Sequence, residues 1–417
     1  MDTMSISPPA TSPERTQDRL WHDVFLPEDV REVRADVRAA VAEHLAPTAR
    51  EIGRQLETPD AFPWTAFKGL ASAGVFAYPF EGEHGAGLTH RTLGTCIATE
   101  EIAYESSSLA GVYDGQCILV AQTLRWAQDP IREELLPKLI SGENVFSFAT
   151  TEPDASSDLT PSALKTVATR TEDGFTVTGR KRWITNSIVA DWVCMLCRDG
   201  EEDACTMLLI PLKDNPGVSI GPPDTKMGHH GQITADIVLE DVHVPHEHCL
   251  GQPGRGLGVA LGSLAAGRVG IAAAGVGVAQ AALDLAVQRV RERKLFGKLI
   301  GEMQHWQYRL AAHATEIECA RSLYQKAAMR IDLGDRSGEP EASMAKSYAT
   351  RLANDVARDA LQVHGGYGFA RQMGATGEQY RLEEIYRDAK ILEIFEGANE
   401  VLQWVIARHL IGRDVTG

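Results

Sequence analysis

The stretch that decides the fold lies near the middle of the chain: Asp173-Gly174-Phe175-Thr176-Val177-Thr178-Gly179-Arg180-Lys181-Arg182-Trp183-Ile184-Thr185-Asn186. Asp-Gly between two short runs rich in Thr, Val and Phe is a hairpin signal, because glycine takes the positive φ that a tight turn demands. Further β-rich runs occupy residues 145–151, 166–170, 192–197, 207–210 and 233–239. Runs this short and this closely spaced, with turn residues between them, predict a small all-β barrel or sandwich over residues 145–252.

Outward from that region the pattern changes on both sides. Before it, Val30, Val33, Val37, Val41 and Leu45 recur every three or four residues, and helical patterning resumes over 91–103 and 109–140. Glu81-Gly82-Glu83-His84-Gly85-Ala86-Gly87 is the loop between these helices, so residues 29–144 are expected to form an N-terminal helical domain. After it, helical segments near 259–295, 302–333, 341–363 and 383–411 predict a C-terminal four-helix bundle over 253–417. The fold class is therefore α+β. Residues 1–28, with Pro8, Pro9, Pro13 and charges of both signs, are expected to be a disordered tail. Asp2, Glu14, Asp18 and Asp23 disfavour a mitochondrial leader, which would be poor in acid.

The chain has 417 residues, 44% of them hydrophobic, and a formal charge of −16. That charge disfavours nucleic acid as a partner, since the only dense cationic runs are Arg180-Lys181-Arg182 and the stretch from Arg291 to Lys294. The uncharged run from Val269 to Leu283 is Ala/Gly-rich and falls short of the ~20 residues a membrane span needs, so no membrane insertion is expected and this run is expected to be a buried bundle helix. Seven scattered cysteines without a disulfide pattern fit a reducing, cytoplasmic setting. Cys194 and Cys197 lie in an apolar run and are expected in the core, and His229-His230 has no further ligands at zinc spacing, so no metal site is expected. Gly275-Val276-Gly277 and Gly365-Gly366-Tyr367-Gly368 do not follow a strand in a βαβ unit and so are not dinucleotide fingerprints.

Five separated motifs carry the chemistry. They are Phe148-Ala149-Thr150-Thr151-Glu152-Pro153-Asp154-Ala155-Ser156-Ser157-Asp158; Lys181-Arg182-Trp183-Ile184-Thr185-Asn186; Arg293-Lys294-Leu295-Phe296-Gly297-Lys298 followed by Gln304; Gln362-Val363-His364-Gly365-Gly366-Tyr367-Gly368; and Tyr386-Arg387-Asp388-Ala389 followed by Ile394-Phe395-Glu396-Gly397-Ala398-Asn399-Glu400. A large flat aromatic beside hydroxyl and amide residues offers an apolar wall with a few fixed polar contacts. A guanidinium suits a pyrophosphate, to which its planar fork donates in pairs.

In this order and over residues from about 30 to the C-terminus, the chain resembles the acyl-CoA dehydrogenase family, and its Gly267-Arg268 pair is most similar to the short-chain branch. The resemblance implies an N-terminal helical domain, a middle β-barrel domain and a C-terminal four-helix bundle. It implies FAD, bound by Phe148, Thr150, Thr151, Trp183, Thr185, Ala398 and Glu400, with Arg293, Phe296, Gln304, Gln362, Gly365 and Gly366 reaching the dinucleotide of a neighbouring subunit in a homo-oligomer, expected to be a tetramer. It implies Glu396 as the base that takes the α-proton of an acyl thioester, with Ser157, Arg268 and Gly397 at the substrate, and an electron-transfer flavoprotein or another acceptor as redox partner. Desolvation beside Ile394 and Phe395 would raise the carboxyl's pKa into a useful range.

The sequence departs from the family at several points: Ser156 replaces a Gly, Ala265 stands where many members hold the pantetheine arm with an Asp, His229-His230 replaces a basic residue, and Ala398 replaces a Thr. A subset of the family carries its base at the position of Gly267, which here has no carboxylate. Residues 369–384 are longer than in short-chain members. A short acyl-CoA is the first expectation. An acyl group on a carrier protein, a flavin oxidase or monooxygenase on the same fold, and a non-catalytic helical scaffold are the alternatives.

Overall fold

The computed structural model describes residues 14–416 apart from 21, 22, 156, 201, 202 and 335–338. The N-terminal part is helical: α1 (Gln17–Leu20), α2 (Val33–His44), α3 (Ala46–Ile52), α4 (Trp64–Ser72), α5 (Arg91–Glu105), α6 (Ser107–Asp114), α7 (Ala121–Leu124) and α8 (Asp129–Ile140). The valines that set the helical period, Val33, Val37 and Val41, are buried on α2. A turn of π-helix over Gly115–Val120 interrupts the expected helix 109–140 between α6 and α7.

The expected tail over 1–28 needs correction where it is described. Residues 1–13 lie outside the described residues, but Arg15 pairs with Glu101, and the Thr16 N–H and hydroxyl donate to Asp284 Oδ1 at 3.1 and 2.6 Å. Glu100 and Glu101 sit buried on α5 among Arg34, Arg38 and Arg321. Arg15 is a partner for this acidic pair and Asp18 and Asp23 are partners for the arginines around it, an arrangement no local pattern announces.

The middle β domain is one sheet of seven strands: β1 (Phe146–Ala149), β2 (Val167–Arg170), β3 (Gly174–Thr185), β4 (Trp192–Asp199), β5 (Cys205–Pro211), β6 (Val218–Ile220) and β7 (Thr234–Pro245). The Asp173-Gly174 hairpin is present, with Arg170 opposite Phe175. β4 pairs with β5 on one edge and with β1 and β2 on the other, and the order continues β2-β3-β7-β6. Among the described residues no ladder joins the ends β5 and β6, so the expected barrel is open along that line. Cys194 and Cys197 are fully buried on β4. β3 runs on through residue 185, so the second motif is carried on a strand anchored along β7.

The C-terminal part is built on α9 (Gly256–Glu292), a 37-residue helix. A small hairpin, β8 (Lys294–Leu295) with β9 (Lys298–Leu299), leads to α10 (Gln304–Asp332), α11 (Glu339–His364) and a short α12 (Gly366–Phe369). The apolar window of α9 is long enough to cross a membrane, but 94% of it is buried within the protein. Its glycines serve close packing: a Cβ at Gly277 would lie 2.2 Å from Glu100 O on α5, and one at Gly275 would lie 3.0 Å from the Ala349 backbone on α11. The expected helix 383–411 is two helices, α13 (Leu382–Ile391) and α14 (Asn399–Ile411), followed by α15 (Arg413–Thr416). The break falls at Glu396 (φ 53°) and Gly397 (φ 99°), whose left-handed backbone cannot continue a helix. The longer segment 369–384 is pinned to the N-terminal part, where Arg381 donates to the carbonyls of Tyr104 and Glu105 at the end of α5, and Arg54 to that of Arg371. All seven cysteines are free thiols; six are buried, and Cys319 on α10 is exposed.

Candidate active site

A cavity of about 1230 Å³ lies where the three parts meet. One wall comes from the sheet, with Phe148, Thr150, Thr151, Trp183, Thr185 and Asn186; the facing wall comes from α9 and the α13–α14 break, with Leu264, Arg268, Phe395, Glu396, Gly397 and Ala398. Gly111, Gly115, Leu119 and Ser157 also line it.

The sheet wall is fixed from behind. Lys181, fully buried, donates from Nζ to Glu152 Oε1 at 2.8 Å and to Thr150 O at 3.2 Å, and the Arg182 N–H donates to Thr151 O at 3.0 Å. The Arg182 guanidinium lies 4.4 Å above the Trp183 ring and pairs with Asp236 at 3.2 Å. Trp183 (φ 60°) and Asn186 (φ 66°) both hold left-handed backbone, which orients a half-exposed indole into the cavity at a cost the surrounding ladder must offset. Gln232 Nε2 donates to Thr185 Oγ1 at 3.1 Å, Gln232 Oε1 lies 2.7 Å from His229 Nδ1, and His229 Nε2 lies 2.8 Å from Ser107 Oγ. Burial pushes the His229 pKa down to about 4, so the ring is neutral in this chain of bonds. Asp388 accepts the His229 N–H at 2.7 Å and Arg387 donates to Met227 O at 2.8 Å, which clamps this loop to α13.

The helical wall is organised around Glu396. Its Oε2 is buried without a donor among the described residues, while the residue as a whole opens to the cavity. A Cβ at Gly267 would lie 2.2 Å from that oxygen and 2.7 Å from Leu119 Cδ2, so the glycine on α9 makes the room the carboxyl occupies. Arg268 Nε donates to Glu396 O at 3.3 Å. Lys346 on α11 donates to Gly397 O at 2.8 Å and to Asn399 Oδ1 at 3.1 Å, holding the break from both sides. Burial raises the Glu396 pKa, opposed by a contact with Asp114 and by the charges of Lys346 and Arg268. Burial pushes Lys346 itself down to about 7.

The sequence-derived site residues thus fall into two groups. Phe148, Thr150, Thr151, Ser157, Trp183, Thr185, Arg268, Glu396, Gly397 and Ala398 line one cavity. Arg293, Phe296, Gln304, Gln362, Gly365, Gly366 and Glu400 do not line it and are exposed, with Phe296 standing 98% exposed on the β8–β9 hairpin. Sequence reasoning missed Asp114, Lys181 as an anchor, Gln232 and Lys346. Only the glycines at 267 and 270 of α9 hinted that something must fit against that helix. His229 and His230 are engaged in hydrogen bonds with Ser107, Gln232 and Gln55, and no cluster of metal-ligating side chains occurs among the described residues.

Models of the three acyl-CoA dehydrogenase domains match the chain in order: the N-terminal domain over residues 27–143, the middle domain over 147–242 and the C-terminal domain over 254–411. The chain belongs to the acyl-CoA dehydrogenase family. It is 34% identical over 394 residues to a 3-(aryl)acrylate reductase of Clostridium sporogenes, covering 93% of this chain and 100% of that protein. It is 34% identical over 372 residues to the caffeyl-CoA reductase-Etf complex subunit CarC of Acetobacterium woodii, covering 87% and 93% of the two chains. The fold matches the structure of butyryl-CoA dehydrogenase from Megasphaera elsdenii with a TM-score of 0.85 at 31% identity, over 93% of this chain and 99% of that one.

As a member of this family the protein is an FAD-dependent oxidoreductase. Its own residues fit that cofactor. Both polar atoms of the Asn186 side chain and the Thr234 hydroxyl are buried at the cavity wall without a partner among the described residues, near the half-exposed Trp183. Unpaired buried donors and acceptors next to a flat aromatic suit the polar rim of an isoalloxazine ring.

Proposed function

We propose that this acyl-CoA dehydrogenase oxidises a short acyl-CoA between its α and β carbons, with Glu396 as the base that removes the α-proton. FAD, when bound, supplies the acceptor for the β-hydrogen and its two electrons. The observation that carries this reading is Glu396 itself: it stands on a left-handed break, lines the same cavity as Trp183 and Thr185, and sets its carboxyl in the space left by Gly267. Burial against α9 raises its basicity, while Lys346 and Arg268 keep it able to ionise. The backbone N–H at the break is taken as the donor to the thioester oxygen, where charge develops as the proton leaves.

The Gly267-Arg268 pair supports the short-chain assignment, as does the likeness to a butyryl-CoA dehydrogenase. The relative named as part of an Etf complex supports an electron-transfer flavoprotein as redox partner. The exposed set Arg293, Phe296, Gln304, Gln362, Gly365 and Gly366 supports a homo-oligomer, expected to be a tetramer, in which these residues serve the neighbour's FAD. The test is anaerobic bleaching of the flavin by a panel of acyl-CoA esters. Fast bleaching by butyryl-CoA in the parent, lost in Glu396→Gln with flavin content unchanged, is the expected result; near-normal bleaching by Glu396→Gln would overturn the assignment of the base.

A further inference from the structure

Glu396 does not stand alone in its pocket. Asp114, the last residue of α6, is fully buried, and its carboxyl packs against the same stretch of α9 as that of Glu396, whose charge acts on it. Neither Asp114 oxygen finds a donor in the protein among the described residues, and neither does Glu396 Oε2. α9 is carved to receive both groups: a Cβ at Gly267 would lie 2.2 Å from Glu396 Oε2, and one at Gly270, a turn further on, would lie 2.0 Å from Asp114 Oδ1. Two ionised carboxylates accept hydrogen bonds and donate none, and at contact in a buried site they repel. The pair is satisfied only if it holds a proton.

We propose that Asp114 is the positioning partner of the base: as a neutral carboxylic acid it donates its proton to the Glu396 carboxylate and fixes the rotamer in which the base meets the substrate. The inference rests on Glu396 being the base. Before turnover the pair carries one negative charge. When the α-proton is transferred to Glu396, the shared proton remains within the pair, which becomes neutral with two protons. The assignment of the proton to Asp114 follows from its surroundings. The cations that favour an ionised carboxyl, Lys346 on α11 and Arg268 on α9, act on Glu396, whereas the titratable groups beside Asp114 are Tyr113, Cys117 on the π turn and Cys96 on α5, all neutral at pH 7 because burial raises each of them. Burial and the Glu396 charge accordingly raise the Asp114 pKa well above the ordinary carboxyl value.

Asp114→Asn keeps a neutral donor of the same shape, and Asp114→Leu keeps shape without a donor. Flavin bleaching by butyryl-CoA, measured as a function of pH, separates them. In the parent and in Asp114→Asn the rate should rise with pH along nearly the same acid limb, with the asparagine variant within about tenfold of the parent. In Asp114→Leu the limb should move to higher pH by about one unit or more, because a carboxylate that loses its donor becomes harder to ionise. A packing role alone would lower the rate or flavin content in both variants and leave the limb in place, and that result overturns the proposal. Glu396→Gln in parallel keeps the two readings apart. If it is inactive while Asp114→Leu is unshifted, only the role of Asp114 fails; if it bleaches normally, the base itself is misassigned and the proposal falls with it. Infrared difference spectra give a readout independent of the leucine variant's folding: the parent should show a neutral carboxylic acid band that Asp114→Asn lacks, and an unchanged band would also overturn the proposal.

Discussion

The two walls of the cavity each rest on a buried lysine, and the two lysines are held in different ways. Lys181 under the sheet wall has a buried carboxylate, Glu152, as its partner, and that partner is also fixed by the N–H groups of Lys165 and Thr166. Lys346 under the helical wall touches only a carbonyl and an amide oxygen, those of Gly397 and Asn399. Charge is neutralised directly under the sheet wall, whereas under the helical wall, among the described residues, the lysine has no carboxylate hydrogen-bonded to it. The first arrangement favours rigidity. The second keeps a cation near Glu396 whose charge is itself poised near neutrality, since burial takes Lys346 down to about 7.

Four substitutions would break or sharpen that contrast. The largest effect belongs to Glu396→Gln on the helical wall, where loss of the proposed base should slow flavin reduction by about 10²–10⁴-fold, read by stopped-flow bleaching, without loss of FAD. Next comes Lys181→Met under the sheet wall, which strands the buried Glu152 charge and should cost about 3–5 kcal/mol in urea unfolding. Because the ion pair and backbone donors hold Glu152 below its ordinary 4.5, that contribution is present above pH 4.5 and fades as the pH falls, so the gap between variant and parent should narrow in acid. Gly267→Ala should displace the Glu396 carboxyl and slow bleaching about tenfold, since the new methyl group meets Oε2 and Leu119 together; an unchanged rate would show that the base has other room. The smallest effect is expected of Lys346→Met. Folding favours the uncharged form of a lysine whose pKa falls from 10.5 to about 7, so the parent should gain stability as the pH rises through that interval, and the variant should not. Urea midpoints on the two sides of that interval decide it.

The contrast also explains what could be seen in advance. The sheet wall was legible because its parts are neighbours in sequence: Lys181, Trp183, Thr185 and Asn186 lie within six residues, and the Asp173-Gly174 turn sets their strand. The helical wall is assembled from α6, α9, α11 and the α13–α14 break, so only the residues inside the resemblance motifs, Arg268, Glu396, Gly397 and Ala398, could be named. Asp114 sits in an apolar helical stretch where nothing local marks a carboxyl as functional, and Gly270, which makes room for it, lies on another helix. The break at Glu396 was read through because Ile391, Leu402 and Val405 keep a helical spacing on both sides of it, and a left-handed turn at a non-glycine residue leaves no trace in composition. The docking of Arg15 and Thr16 was hidden for the same reason, its partners Glu101 and Asp284 being far along the chain.

The distribution of thiols has a practical consequence. With six cysteines buried and Cys319 alone exposed on α10, a maleimide dye should attach at one defined point and leave the cavity untouched. The native enzyme therefore comes with its own attachment point, and the rate at which Cys319 is labelled in dilute and concentrated solution would report whether that face of α10 is covered when copies of the chain assemble.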